Sequence, residues 1–129
     1  MDKNQSEIFG EFTYAEKMTY EELLASEQIL LEQISDILQE AGAEHLDFTP
    51  LGDILMVQCA FEVKNLEILR DVADEIAAML PKAVTGRILC LETNLVSCHI
   101  FWIRKGEWQE REYILPKTGP EDAPIHRVG

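Results

Sequence analysis

The chain has 129 residues, of which 24 are Asp or Glu and 11 are Lys or Arg, and its formal net charge is −13. This length suits one domain with its own core, and 47% hydrophobic with 27% charged residues is typical of a globular protein. The excess of negative charge argues against binding to nucleic acid or to an anionic membrane, because both need a positively charged surface.

Three segments are expected along the chain. Residues 1–18 are interpreted as an N-terminal arm, which docks on the body of the protein or on a partner. Residues 19–115 are expected to form a single α+β domain. Residues 116–129 contain three prolines and predict an irregular C-terminal tail.

The first helix is predicted to begin after Thr19, since threonine is a good N-cap and Glu22 completes a capping box. Apolar residues then recur at helical spacing to Ala41, and Gly42 supplies the C-terminal cap. The opposite face is acidic, with no lysine or arginine to pair with. Its acidic residues include Glu21, Glu22, Glu32, Asp36 and Glu40. Two explanations are open: a solvated face that keeps the protein soluble, or a surface that steers a basic partner.

Two strands are predicted next, at 44–49 and 53–63, on either side of turn residues 50–53. Asn65 is a suitable cap for a second helix, and Pro81 ends that helix. The chain therefore passes from the first helix through a pair of strands to the second helix.

Three further strands are predicted at 84–92, 95–103 and 108–115, where β-branched, aromatic and leucine residues are frequent. Residues 93–94 and 104–107 fit hairpin turns between them. The order α-β-β-α-β-β-β predicts an α+β two-layer sandwich, in which two helices pack on one face of a mainly antiparallel five-stranded sheet.

The second face of this sheet would be uncovered, although both faces of its strands carry apolar residues. Candidate residues for an interface with a partner or a second subunit are Ile54, Met56, Val96, Ile100, Trp102 and Trp108. A homodimer is the first explanation of how this face is covered, because two-fold pairing is the commonest assembly. The alternatives are cover by the C-terminal tail, by a ligand, or by Phe9, Phe12 and Tyr14 of the N-terminal arm.

Few residues suggest a catalytic or ligand-binding role. His45 and Asp47 are two residues apart in a predicted strand and can share a face, and His99 is a third candidate. Cys98 and His99 are neighbours in a strand, so their side chains point to opposite faces and do not form a nucleophile–base pair. The sequence has no CxxC pair and no glycine-rich phosphate loop, so it predicts neither a metal nor a cofactor.

The chain is expected to be cytoplasmic. Its three cysteines fit a reducing compartment, and its first residues do not resemble a secretory signal. No apolar run is as long as a membrane span.

These features favour a non-catalytic, acidic protein that binds a protein partner, in particular a basic one, through its apolar sheet face and its acidic helical face. The element order resembles that of the small acidic chaperones of secretion systems, and the charge is similar to that of immunity proteins that block basic toxins. The resemblance implies a chaperone-like or inhibitor-like adaptor. The alternative is a small enzyme or ligand-binding domain that uses His45, Asp47 and His99.

Overall fold

The computed structural model describes residues 6–15, 17–62 and 65–128. These residues form six strands and two helices, and neither helix is long and apolar enough to cross a membrane. In chain order the elements are β1 (Ser6–Tyr14), α1 (Tyr20–Glu40), β2 (Glu44–Leu51), β3 (Ile54–Phe61), α2 (Leu66–Met79), β4 (Val84–Glu92), β5 (Ser97–Arg104) and β6 (Glu107–Ile114).

The strands form one antiparallel sheet in the order β2-β3-β1-β4-β5-β6. The α+β architecture with helices on one face is confirmed, whereas the expected number of five strands was wrong. The additional strand is β1, which lies inside the segment interpreted as an N-terminal arm and occupies the middle of the sheet. The element order is therefore β-α-β-β-α-β-β-β.

The alternation of apolar inward and polar outward residues in β1 is difficult to recognise in the sequence. Two of its inward positions are the small residues Ser6 and Gly10, and the outward position between Ile8 and Gly10 is the apolar Phe9. The buried side chains of Phe12 and Tyr14 face the helices and belong to the core. The N-terminal segment thus contributes these two rings to the face of the sheet that packs against the helices. The rings do not cover the other face.

Both helices begin at the caps that the sequence predicts. The backbone N–H of Glu22 donates to Oγ1 of Thr19 at 3.1 Å, and that of Glu67 donates to Oδ1 of Asn65 at 3.0 Å. Each cap satisfies a backbone donor that has no partner inside its helix. Gly42 follows the end of α1 with a φ of +100°, a conformation that is favourable for glycine.

The core lies between the helices and one face of the sheet. Helix α1 contributes Leu30, Ile34 and Leu38, which recur every four residues along one stripe. Helix α2 contributes Leu69, Val72, Ala73, Ile76 and Ala77. These side chains meet the alternate, inward-facing residues of β1, β3, β4 and β5 in one hydrophobic cluster.

The connection between β4 and β5 is longer than predicted. Strand β4 ends at Glu92 and β5 begins at Ser97, so four residues rather than two join the strands. Leu95 adopts a φ of +58°, and Oδ1 of Asn94 accepts a hydrogen bond of 3.1 Å from the N–H of Val96. Val96 therefore belongs to this loop and not to the sheet.

Two glycines allow buried side chains to pack closely against the sheet. Phe12 is fully buried and pairs across the strands with Gly86, and a methyl group added to Gly86 would lie 2.6 Å from Cε1 of the ring. Gly10 similarly leaves no room for a methyl group beside Cγ1 of Val57. Aromatic rings often cover glycine in neighbouring strands in this way.

Replacing Gly86 by alanine is expected to lower the free energy of unfolding by about 1–3 kcal/mol, because the buried ring cannot move away without disturbing the core. Chemical denaturation followed by circular dichroism measures this change. Gly119→Ala is the matched control, since no atom lies within 4 Å of its added methyl group. Equal stability of the two variants would contradict the packing described for Phe12.

Candidate interaction surface

The side chains that point away from the helices form a surface that we call the open face. Two adjacent rows cross it, with one residue from each strand. From β2 to β6, the first row is Thr49, Met56, Glu11, Arg87, Trp102 and Gln109. The second row, in the same order, is Asp47, Gln58, Phe9, Leu89, Ile100 and Arg111. Both helices pack on the opposite face, and residues 116–128 are all exposed, so neither covers these rows.

The centre of the open face is apolar. Phe9, Met56, Leu89 and Ile100 line a depression of about 320 Å³, and all four side chains are half-buried. A wider concavity of about 980 Å³ adjoins it over β4, β5 and β6 and includes the half-buried ring of Trp102. An apolar depression framed by polar groups is typical of a surface that binds another molecule.

Charge is divided across the open face. The half formed by β2, β3 and β1 carries Glu7, Glu11 and Asp47, with no lysine or arginine in its strands. The other half carries three arginines and one glutamate: Arg87, Arg104, Arg111 and Glu107. Glu11 and Arg87 meet at the boundary in a cross-strand ion pair of 3.1 Å. The basic half is unusual in a chain whose net charge is −13.

Four of the six predicted interface residues lie on this face, namely Ile54, Met56, Ile100 and Trp102. Val96 lies in the loop before β5. Trp108 lies on the helix side: it pairs with the core residue Ile103, and its Nε1–H donates to Oδ1 of Asp74 at 2.7 Å.

The placement of Trp108 corrects the prediction that it belongs to the second face. The two-residue turn between β5 and β6 makes Arg104 the partner of Glu107, so the next pair, Ile103 and Trp108, shares the inward side. The signal was present in the sequence, because the length of a hairpin turn fixes which residues face each other.

The acidic face of α1 lies on the outside of the molecule. Its five predicted residues, Glu21, Glu22, Glu32, Asp36 and Glu40, are all exposed. Two apolar residues of the same helix, Leu24 and Ile29, are also exposed, at 46% and 52%. The molecule therefore presents an acidic helical surface and, on the opposite side, the open face.

The three residues that the sequence suggests for catalysis, His45, Asp47 and His99, do not lie close together. His45 is exposed on the edge strand β2 with a φ of +56°, at an irregularity between Glu44 and Asp47 that interrupts the expected alternation. His99 is on β5, four strand spacings or about 19 Å away. A single catalytic centre built from His45, Asp47 and His99 is therefore not formed.

His99 takes part in a different cluster, on the helix side of the sheet. Its Nε2 lies 2.5 Å from Oε2 of Glu110, and Oε1 of the same carboxylate accepts a hydrogen bond of 2.7 Å from Nε of Arg70 on α2. Nδ1 of His99 is buried with no hydrogen-bond partner among the described residues. The geometry favours the tautomer that carries its hydrogen on Nε2 and donates it to Glu110.

Glu110 lies in the strand predicted at 108–115, but it was not identified from the sequence as a functional or structural residue. It pairs with the core residue Phe101 and so points towards α2. The hydrogen bond from Arg70 lowers the pKa of the Glu110 carboxyl, burial opposes this change, and the bond from His99 lowers the pKa further. The cluster joins β5 and β6 to α2 and does not extend to the open face.

The three cysteines are distributed over both sides of the sheet. Cys59 and Cys90 are buried on the helix side, and burial raises the pKa of the Cys59 thiol to about 12. Cys98 is half-buried and lies on the open face, opposite in direction to its neighbour His99 as predicted. No disulfide joins any two of them.

The chain matches no protein-family model and no curated protein sequence. Within residues 6–15, 17–62 and 65–128, no group of three or more His, Cys, Asp or Glu side chains is arranged to hold a metal ion. The open face and the acidic face of α1 are therefore the candidate functional surfaces of the molecule.

The Glu110 cluster predicts a stability difference that depends on pH. The folded-state pKa of Glu110 is below the ordinary carboxyl value, so the stabilisation is complete at neutral pH and is lost as the pH falls through the folded-state value. Glu110→Gln is expected to lower the free energy of unfolding by roughly 1 kcal/mol at neutral pH. The difference from the wild type should shrink below the ordinary value of 4.5.

Denaturant titrations of wild type and variant over a series of acidic pH values measure this convergence. Glu107→Gln is the matched control, because its ion pair with Arg104 is in an exposed turn and contributes little at any pH. A difference for Glu110→Gln that stays constant in acid would contradict the assignment of the stabilising charge to this carboxylate.

Proposed function

We propose that this chain is a non-catalytic protein-binding protein, a chaperone-like or inhibitor-like adaptor that acts through two surfaces. One is the open face, and the other is the acidic face of α1. The observation that carries the proposal is the uncovered apolar centre of the open face, which both helices leave exposed because they pack on the other side.

The partial exposure of the apolar side chains on the open face supports a binding role. Its central side chains come from four strands and shield one another only partly from water. Covering them with a protein surface removes apolar area from water, at a gain of about 25 cal/mol per Å². A rigid sheet also presents these residues without ordering a loop, which reduces the entropic cost of binding.

The acidic face of α1 supports a basic protein as the partner. Five exposed carboxylates on one helix, with no lysine or arginine in that helix, produce a local negative potential. Such a potential accelerates association with a positively charged surface and weakens at high ionic strength. A nucleic acid would be repelled by the same charge.

Affinity capture from the source organism, with the chain as bait, tests this proposal. The double variant Glu32→Lys, Asp36→Lys is expected to reduce capture of a specific protein by about tenfold at low salt, because it reverses the charge at the centre of the acidic face. Capture by the wild type should fall as salt is raised. Trp102→Glu should reduce capture through the open face.

The double variant Glu121→Lys, Asp122→Lys in the exposed tail is the matched control, since it makes the same change in net charge elsewhere. Loss in the α1 variant with retention in the tail variant supports the proposal. Failure to recover any protein, or equal capture by all variants, would refute it.

A further inference from the structure

We propose that the open face binds a second copy of this chain around a two-fold axis. The axis lies in the interface, parallel to the strands and directly above the boundary between β1 and β4. This inference rests on the proposed function, since it names the occupant of one of the two binding surfaces. It follows from three properties of the open face: its strand order, the position of each residue along its strand, and its division of charge.

The strand order makes the face suitable for self-pairing. Three strands lie on each side of the boundary between β1 and β4. A half-turn about an axis along this boundary places β4 of the partner over β1, β5 over β3, and β6 over β2. The rotation keeps every residue at its own position along the strand direction, and the strands of the two sheets remain aligned, as in packed β-sheets.

In the first row, this rotation brings opposite charges and apolar groups together. Glu11 lies opposite the partner's Arg87, and Met56 lies opposite the partner's Trp102. The polar residues at the ends of the row, Thr49 and Gln109, also face each other. Because the axis is two-fold, each of these contacts occurs twice.

Two of the three pairs in the second row are matched in the same way, and the third places Gln58 opposite the partner's Ile100. Asp47 lies opposite the partner's Arg111, and Phe9 lies opposite the partner's Leu89. The acidic half of one copy thus covers the basic half of the other along the whole width of the sheet. Two of the three arginines of the open face, Arg87 and Arg111, then have a role, since each lies opposite a carboxylate of an identical surface.

The area of the open face is sufficient for a stable dimer. Six strands about 4.8 Å apart and about 27 Å long present roughly 800 Å². This equals the area of roughly 800 Å² that each partner buries in a standard protein–protein interface. The opposite side of the molecule is less suitable for self-pairing, since two acidic α1 faces would repel each other.

Charge reversal across one predicted contact tests the arrangement. Arg111→Glu alone and Asp47→Arg alone should each raise the dimer dissociation constant by about tenfold, because each places like charges opposite one another twice. Combining them in one chain restores opposite charges, so the double variant should return to within about threefold of wild type. Sedimentation equilibrium from nanomolar to high micromolar concentration measures all four constants.

Arg127→Glu and Asp122→Arg in the tail are the matched controls, since they change net charge equally on exposed residues outside both proposed binding surfaces. Circular dichroism melting of each variant separates loss of association from loss of folding. A wild type that stays monomeric would overturn the inference, as would a double variant that dissociates as readily as the two single changes combined. In either case, partner capture that depends on Glu32 and Asp36 would leave the proposed function intact.

Discussion

The fold depends on the pairing of β1 with two strands that are distant in the sequence. β1 pairs along its length with β3 on one side and with β4 on the other. Among the residues that the structure describes, no other strand joins these two, so without β1 the sheet would separate into the hairpin of β2 and β3 and the three-stranded unit of β4, β5 and β6. An isolated two-stranded hairpin is at best marginally stable in water, so the first strand holds the two parts in one sheet.

The same pairing determines what each face of the sheet does. The inward residues of β1 place Phe12 against Gly86 and complete the core beneath both helices. The outward residues Phe9 and Glu11 join the apolar centre and the charge boundary of the open face. Both helices pack against the inner face of the sheet, so the open face remains available for binding. The net charge of −13 conceals this division, because the acidic residues on α1 and the arginines of the open face are on opposite sides.

Local signals in the sequence were sufficient for much of the fold. Thr19 and Asn65 mark the starts of both helices, because a cap acts within three residues of itself. Strand β1 could not be predicted in this way, since small residues occupy two inward positions and its partners lie more than 40 residues away. The separation of His45 from His99 follows from strand order, which is also non-local. The contact between Glu110 and Arg70 depends on how α2 lies across β6, and no spacing in the sequence encodes it.

The proposed dimer requires an open face that is free in the single chain and covered by the second copy in the assembly. Cys98 is a native reporter of this face, since Cys59 and Cys90 are buried on the helix side. Thiol alkylation followed by mass spectrometry should label Cys98 readily at nanomolar protein concentration. The labelling rate should fall as concentration rises into the micromolar range, while Arg111→Glu keeps the fast rate to higher concentration. A rate for Cys98 that is independent of concentration in the wild type would contradict the account.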